Sequence, residues 1–103
     1  MSVLKEHPLV RSDLREAFDW YEDERDGLGG DLLREVRSIL IHLPETARLF
    51  TPRFGSIRRV NLQRFPYGVF YVVTDTEIRV LAVLHAARRH RRLLSGRRRS
   101  FDG

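Results

Sequence analysis

Two periodicities divide the chain. Between Pro8 and Leu43 apolar residues recur at intervals of three and four; between Val60 and Leu84 they alternate or run together. The first spacing predicts amphipathic helices and the second predicts strands. Leu14, Ala17, Phe18 and Tyr21, with Leu9 and Val10 feeding the same face, predict a helix that starts near Pro8. Proline suits a first helical turn, and it holds the residue before it extended. Asp13, Glu16, Asp19 and Glu22 are expected on the other faces. A stop is expected at Asp26-Gly27, where glycine can take the left-handed cap. Leu28, Leu32, Val36, Ile39, Leu40 and Leu43 predict a second helix, ended by Pro44. The short Gly27-Leu28-Gly29-Gly30 break makes the pair a helical hairpin.

Residues 44–56, with Pro44, Pro52 and Gly55, read as a loop in which Leu49 and Phe54 plug a satellite core. Three strands follow. The first alternates Val60 and Leu62 with polar residues, the second is Val69 to Val73, and the third is Ile78 to Leu84. Turns at Pro66-Tyr67-Gly68 and Thr74-Asp75-Thr76-Glu77 separate them. The near-continuous apolar third strand implies burial on both sides. With a short strand before Pro8, the order is strand, helix, helix, three strands. That order defines an α+β domain: a small antiparallel sheet of an N-terminal strand plus a three-stranded meander, covered on one face by the hairpin. A short basic C-terminal helix or tail completes it. The expected division is one domain over 1–94 and a flexible basic tail over 95–103, where little is available to bury.

Composition sharpens this picture. At 103 residues the chain fits one domain. It has no cysteine, which excludes a disulfide framework, a thiolate zinc site and a catalytic thiol. No apolar run approaches the ~20 residues of a membrane span, and Met1 to His7 lacks a signal-peptide core. A cytoplasmic protein without a membrane partner is the expectation. The net charge of +5 is unevenly spread. Residues 1–50 carry 7 basic and 11 acidic side chains, whereas residues 51–103 carry 12 and 3. All basic residues but Lys5 are arginines, and seven of them fall between His85 and Arg99, where there is no acid. Arginine forks onto carboxylates and phosphates, so the second half is suited to an anionic partner. Histidines among so many arginines make a poor cation site; no metal or cofactor is expected.

The chain also resembles a known family. Phe18-Asp19-Trp20-Tyr21-Glu22, Gly27-Leu28-Gly29, Glu35-Val36 and Pro44 match its first half. Arg58-Arg59-Val60, Phe65-Pro66-Tyr67, Val69-Phe70-Tyr71 and Val80-Leu81-Ala82-Val83-Leu84-His85 with Arg88 match its second. In order and spacing these motifs resemble the RelE/ParE superfamily of bacterial type II toxin–antitoxin toxins (plasmid stabilisation proteins) over about residues 3–92. The resemblance implies a growth-arresting toxin silenced by a cognate antitoxin with an acidic C-terminal segment, with which it forms a hetero-oligomer. ParE-like members poison DNA gyrase; RelE-like members cleave mRNA on the ribosome. Several ribonuclease members carry an arginine in the motif Tyr-Arg-Val-x-Tyr, and here the stretch Tyr67-Gly68-Val69-Phe70-Tyr71 holds Gly68 in its place. No tyrosine follows Arg88. Both departures favour the ParE-like branch and a non-enzymatic gyrase inhibitor, with ribosome-dependent mRNA endoribonuclease as the alternative.

No catalytic residue is assigned. A ribonuclease would draw on Arg59, His85, Arg88 and His90, because RNA cleavage needs a base, an acid and cations on the phosphate. Target or antitoxin binding falls to Trp20, Arg58, Arg59, Arg88, Arg89, Arg91 and Arg92. Plain structural roles stand beside these. His85 can bond nearby backbone, Arg88 can pair with a carboxylate of the first helix, and Trp20 can belong to the hairpin rim.

Overall fold

In the computed structural model, residues 3–87 and 90–101 are described. Strand β1 (Val3–Glu6) leads into α1 (Val10–Glu24) and α2 (Leu28–Thr46). After a 3-10 turn at Ala47–Leu49 come β2 (Pro52–Phe54), β3 (Ile57–Asn61), β4 (Tyr67–Val73), β5 (Glu77–His85) and α3 (Arg91–Arg99). The sheet order is β1-β5-β4-β3-β2.

The hairpin forms as its spacing implies. Gly27 takes φ 88° at the connection, and the Glu22 carboxylate accepts hydrogen bonds from the Gly27 and Gly29 amides at 3.0 and 2.8 Å. These amides are unpartnered donors of the first turn of α2, and their bonds, Gly27's foremost, lower the Glu22 pKa. The helices cross closely there: a Cβ on Gly29 would lie 2.7 Å from both the ring and the carbonyl oxygen of Phe18.

The α+β class and the hairpin-covered sheet are as expected, with differences of detail. The sheet is mixed, because β1 joins β5 in parallel while the other pairs are antiparallel. It has a fifth strand, β2, within the expected loop, and there Phe54 packs on a core whereas Leu49 is 78% exposed. Pro44 does not end α2, which runs on to Thr46. Its nitrogen has no proton for the carbonyl four residues back and its ring crowds that carbonyl, and the helix runs only two residues further before the 3-10 turn. At the C-terminus, where a tail was expected from residue 95, α3 continues to Arg99 and Leu94 is fully buried.

A β-bulge sets the two faces of β5. Phe70 pairs with Ala82 but Tyr71 with Val80, which leaves Leu81 unopposed. One extra residue reverses the inside–outside alternation. Ile78 and Val80 therefore face the hairpin, Leu81 and Ala82 face α3, and Val83 faces the hairpin again. Two cores result. The hairpin side holds Leu32, Val36, Leu43, Val69 and Tyr71; the other holds Ile57, Phe70, Val72, Leu81 and Leu94. Tyr71 donates its hydroxyl proton to the Ala47 carbonyl at 2.6 Å, and burial pushes its pKa up to about 12.

Candidate functional site

Arg53 of β2, Arg59 of β3 and the arginines of α3 gather on the α3 side of the sheet. The stem of Arg59 on β3 crosses Gly68: a Cβ there would lie 2.8 Å from both Cγ and Cδ of Arg59. The missing side chain at position 68 thus makes room for an arginine arriving from the neighbouring strand. Arg59 donates to the Ala86 carbonyl at 3.1 Å and lies 6.0 Å over the Phe70 ring. Among the described residues its Nε has no partner, though it is buried. Burial, and then the charge of Arg53, lower its pKa. Arg91 lies 5.4 Å over Phe54 and is exposed, as is Arg92. Arg58 is turned inward, donating to the Phe50 carbonyl and so pinning the segment before β2. Arg88 and Arg89 lie outside the described residues.

The described members of the expected ribonuclease set converge on one segment, with polar atoms already engaged by backbone. His85 accepts the Ala87 amide at Nδ1 and packs its ring against Tyr67. His90 packs against Phe70 and donates from Nε2 to the His85 carbonyl at 2.9 Å. With Arg59 on Ala86, all three described candidates make bonds to residues 85–87, the connection from β5 toward α3.

Trp20 is 64% exposed on α1, where it borders a cleft shared with Glu16, Asp23, Tyr67, His85 and His90. It is a rim residue beside acidic neighbours, not a part of the basic face. A second concavity runs between α1 and α2. Its floor is Leu14, Phe18, Leu33 and Leu40, Ile41 stands 67% exposed beside it, and Arg11, Arg15 and Arg37 edge it with Glu6 and Asp19.

One connection was missed from sequence. Asp13, expected on a solvated face, is 9% exposed and takes a two-pronged bond from Arg97 of α3, with Nη2 to Oδ1 at 2.9 Å. The pair covers the part of the β5 edge that β1 is too short to reach. Asp13 accepts the Val83 amide at 3.1 Å, and Arg97 donates to the Leu81 carbonyl at 3.1 Å, beside the bulge. Side chains here replace a neighbouring strand. The signal was present, since Asp13 stands three residues after Val10 and four before Ala17, on the buried stripe. His7, 6% exposed, supports the same junction. Its Nδ1 accepts the Leu9 amide and its Nε2 donates to Ser100 Oγ, both at 3.1 Å.

These features define the class: a small α+β domain with an apolar helical groove on one side and an arginine-lined face on the other. Among the described residues, no group of three or more metal-binding side chains forms, and no helix is long and apolar enough to cross a membrane. Residues 4–90 match the family model of the ParE toxin of type II toxin-antitoxin system, parDE, and the chain belongs to that family. Toxin ParE2 of Mycobacterium tuberculosis, in two strains, is 35% identical over 83 residues, which are 80% of this chain and 79% of that protein. The fold is similar to a chain of a chromosomal ParDE TA system from P. aeruginosa. The TM-score is 0.73 at 19% identity, over 82% of this chain and 96% of that one. The ParE-like branch read from the motifs is therefore the right one.

Proposed function

We propose that this toxin arrests growth by binding and inhibiting DNA gyrase in the cytoplasm, without chemistry of its own, and that its antitoxin silences it from the hairpin side. The observation that carries the non-enzymatic reading is the use made of Arg59, His85 and His90. Each bonds the backbone of residues 85–87, and the two histidine rings pack on different aromatic residues. General acid–base cleavage of RNA needs an acid and a base free to exchange protons with the phosphodiester, and here Nδ1 of His85 and Nε2 of His90 are taken up by backbone.

The groove between α1 and α2 suits an amphipathic antitoxin helix. Its apolar floor would take the helix's apolar stripe, and Arg11, Arg15 and Arg37 would meet acidic flanks. The arginine face is left for the target, with Arg59, Arg91 and Arg92 as contacts, Arg58 positioning the strand beneath, and Arg88 and Arg89 as further contacts by sequence. Trp20 serves as a rim anchor for either partner.

The test compares inhibition of gyrase supercoiling with cleavage of ribosome-bound mRNA by the same purified toxin. Supercoiling inhibition without cleavage is the expected result. Cleavage with intact supercoiling would establish the ribonuclease alternative instead. Ile41→Glu should leave inhibition intact while weakening rescue by the antitoxin at least tenfold.

A further inference from the structure

Beside the β2–β3 turn, α3 and the sheet enclose a groove of about 430 Å³. Arg53, Arg91, Arg98 and Arg99 line it with Phe54 and Ser95, and among the described residues no acidic side chain does. Among the described residues none of these four arginines makes an ion pair, whereas Arg15, Arg34, Arg64, Arg79 and Arg97 all do. Four like charges held together repel one another, and this repulsion is relieved when an anion binds. Arg59 extends the row on the sheet through its neighbour Arg53, and it brings a buried Nε without a partner among the described residues. The Arg91 guanidinium stacked over Phe54 presents a planar cation beside the groove. Gly55, at the turn with φ 55°, is open: a Cβ there would meet nothing within 4 Å.

We propose that this groove is a binding site for the phosphodiester backbone of nucleic acid, contacted without regard to sequence. Repeated phosphates match a row of arginine forks, and the stacked guanidinium offers a surface to an unpaired base. An acidic peptide supplies the charge but has no use for that stacked plane. The site lies across the sheet from the hairpin groove, and the assay needs neither gyrase nor antitoxin, so its outcome is independent of the proposed target.

The test is fluorescence anisotropy of the full chain with a labelled duplex DNA, a single-stranded DNA and a poly-glutamate peptide of equal charge, each titrated with salt. Binding to DNA is expected with a log–log salt slope of about −3 to −4 for the duplex, as three or four phosphate contacts give. Tighter binding of the single strand would assign the stacked arginine to an unpaired base, and equal binding would assign the groove to phosphate alone; both support the site. Arg53→Ala/Arg91→Ala/Arg98→Ala should lower DNA affinity more than tenfold and flatten the slope by about 2 to 3. Arg25→Ala/Arg34→Ala/Arg64→Ala, equal in net charge but on the hairpin side, should change neither. A wild-type chain that does not bind DNA in low salt overturns the proposal. So does an equal loss in both variants, or poly-glutamate binding as tightly as DNA.

Discussion

The two sides of the sheet are built to different depths. Toward the hairpin, two long helices bury Val10 and Ala17 of α1 and Leu32, Val36 and Leu43 of α2 in one core with Val69, Tyr71 and Val80, and the Tyr71 hydroxyl is tied to Ala47. Toward α3, a single nine-residue helix with Gly96 in its middle rests on Leu94 and is fastened mainly by polar bonds from Arg97. An apolar core is non-directional and tolerates small shifts, whereas a buried ion pair loses its value when either partner is lost. The hairpin side thus supplies stability. The α3 side supplies a charged surface held at one fixed place.

The largest effect should come from the deep side. Leu43 is fully buried, and Leu43→Ala should lower global stability by about 3–4 kcal/mol. In denaturant titration the whole chain should unfold in one transition at lower denaturant. Loss of α3 first would mean that the two cores do not unfold as one cooperative unit.

Next comes the fastening of the shallow side. Arg97→Ala leaves the Asp13 carboxylate buried with only the Val83 amide, which should cost about 3 kcal/mol, as breaking one side of a buried pair does. The signature separates it from Leu43→Ala. Hydrogen exchange should quicken in α3 and at the β5 edge before it does in α2. Asp13→Asn combined with Arg97→Ala should cost clearly less than the two single changes added together. Strict additivity would show that the pair is not a unit.

These two sides differ in how legible they are. The hairpin and the meander stand out because each has one clean period and a glycine or proline boundary. The α3 side is obscure because its determinants are single residues far apart. Arg97 looks like its neighbours Arg98 and Arg99, and only the folded chain brings it to Asp13. The bulge at Leu81 is hidden inside an apolar run, and with it the face to which each β5 side chain turns. β1 is readable as a strand, but its parallel partner is set by topology. For the site, the motifs identified the family and the concentration of arginines, but not that Arg58 is turned inward or that Arg53 stands in the basic groove.

A smaller effect tests the order within the basic face. Gly68→Ala places a Cβ 2.8 Å from the Arg59 stem. No positive φ is involved at Gly68, so the whole effect is steric. Arg59 must lift off the strand and give up the Ala86 carbonyl, for a net loss of about 1 kcal/mol. The Arg59 Nε–H resonance should shift in NMR spectra while those of the Trp20 indole and the hairpin amides stay in place.

The smallest effect is a dependence on pH confined to the shallow side. Burial foremost, and then the charge of Arg97, lower the pKa of His7 from its ordinary 6.5, and Asp13 opposes them. The folded chain therefore holds His7 neutral. Its Nδ1 must accept the Leu9 amide, which a protonated ring cannot do. Above pH 6.5 His7 is neutral in both folded and unfolded chains and adds no slope. As pH falls below 6.5 the unfolded chain takes up a proton that the folded one refuses, so stability declines until the folded pKa is reached. Glu22, Asp31 and Glu77, whose pKa values are lowered by hydrogen bonds, also lose stability on acidification, but only from about their ordinary 4.5, 3.8 and 4.5 downward. The two windows are separable by chemical denaturation at successive pH values. His7→Gln keeps an acceptor and a donor near Leu9 and Ser100, and it should remove the slope just below pH 6.5 while leaving the lower one. A slope that persists in this variant would assign the proton to another group and free His7 from the junction with α3.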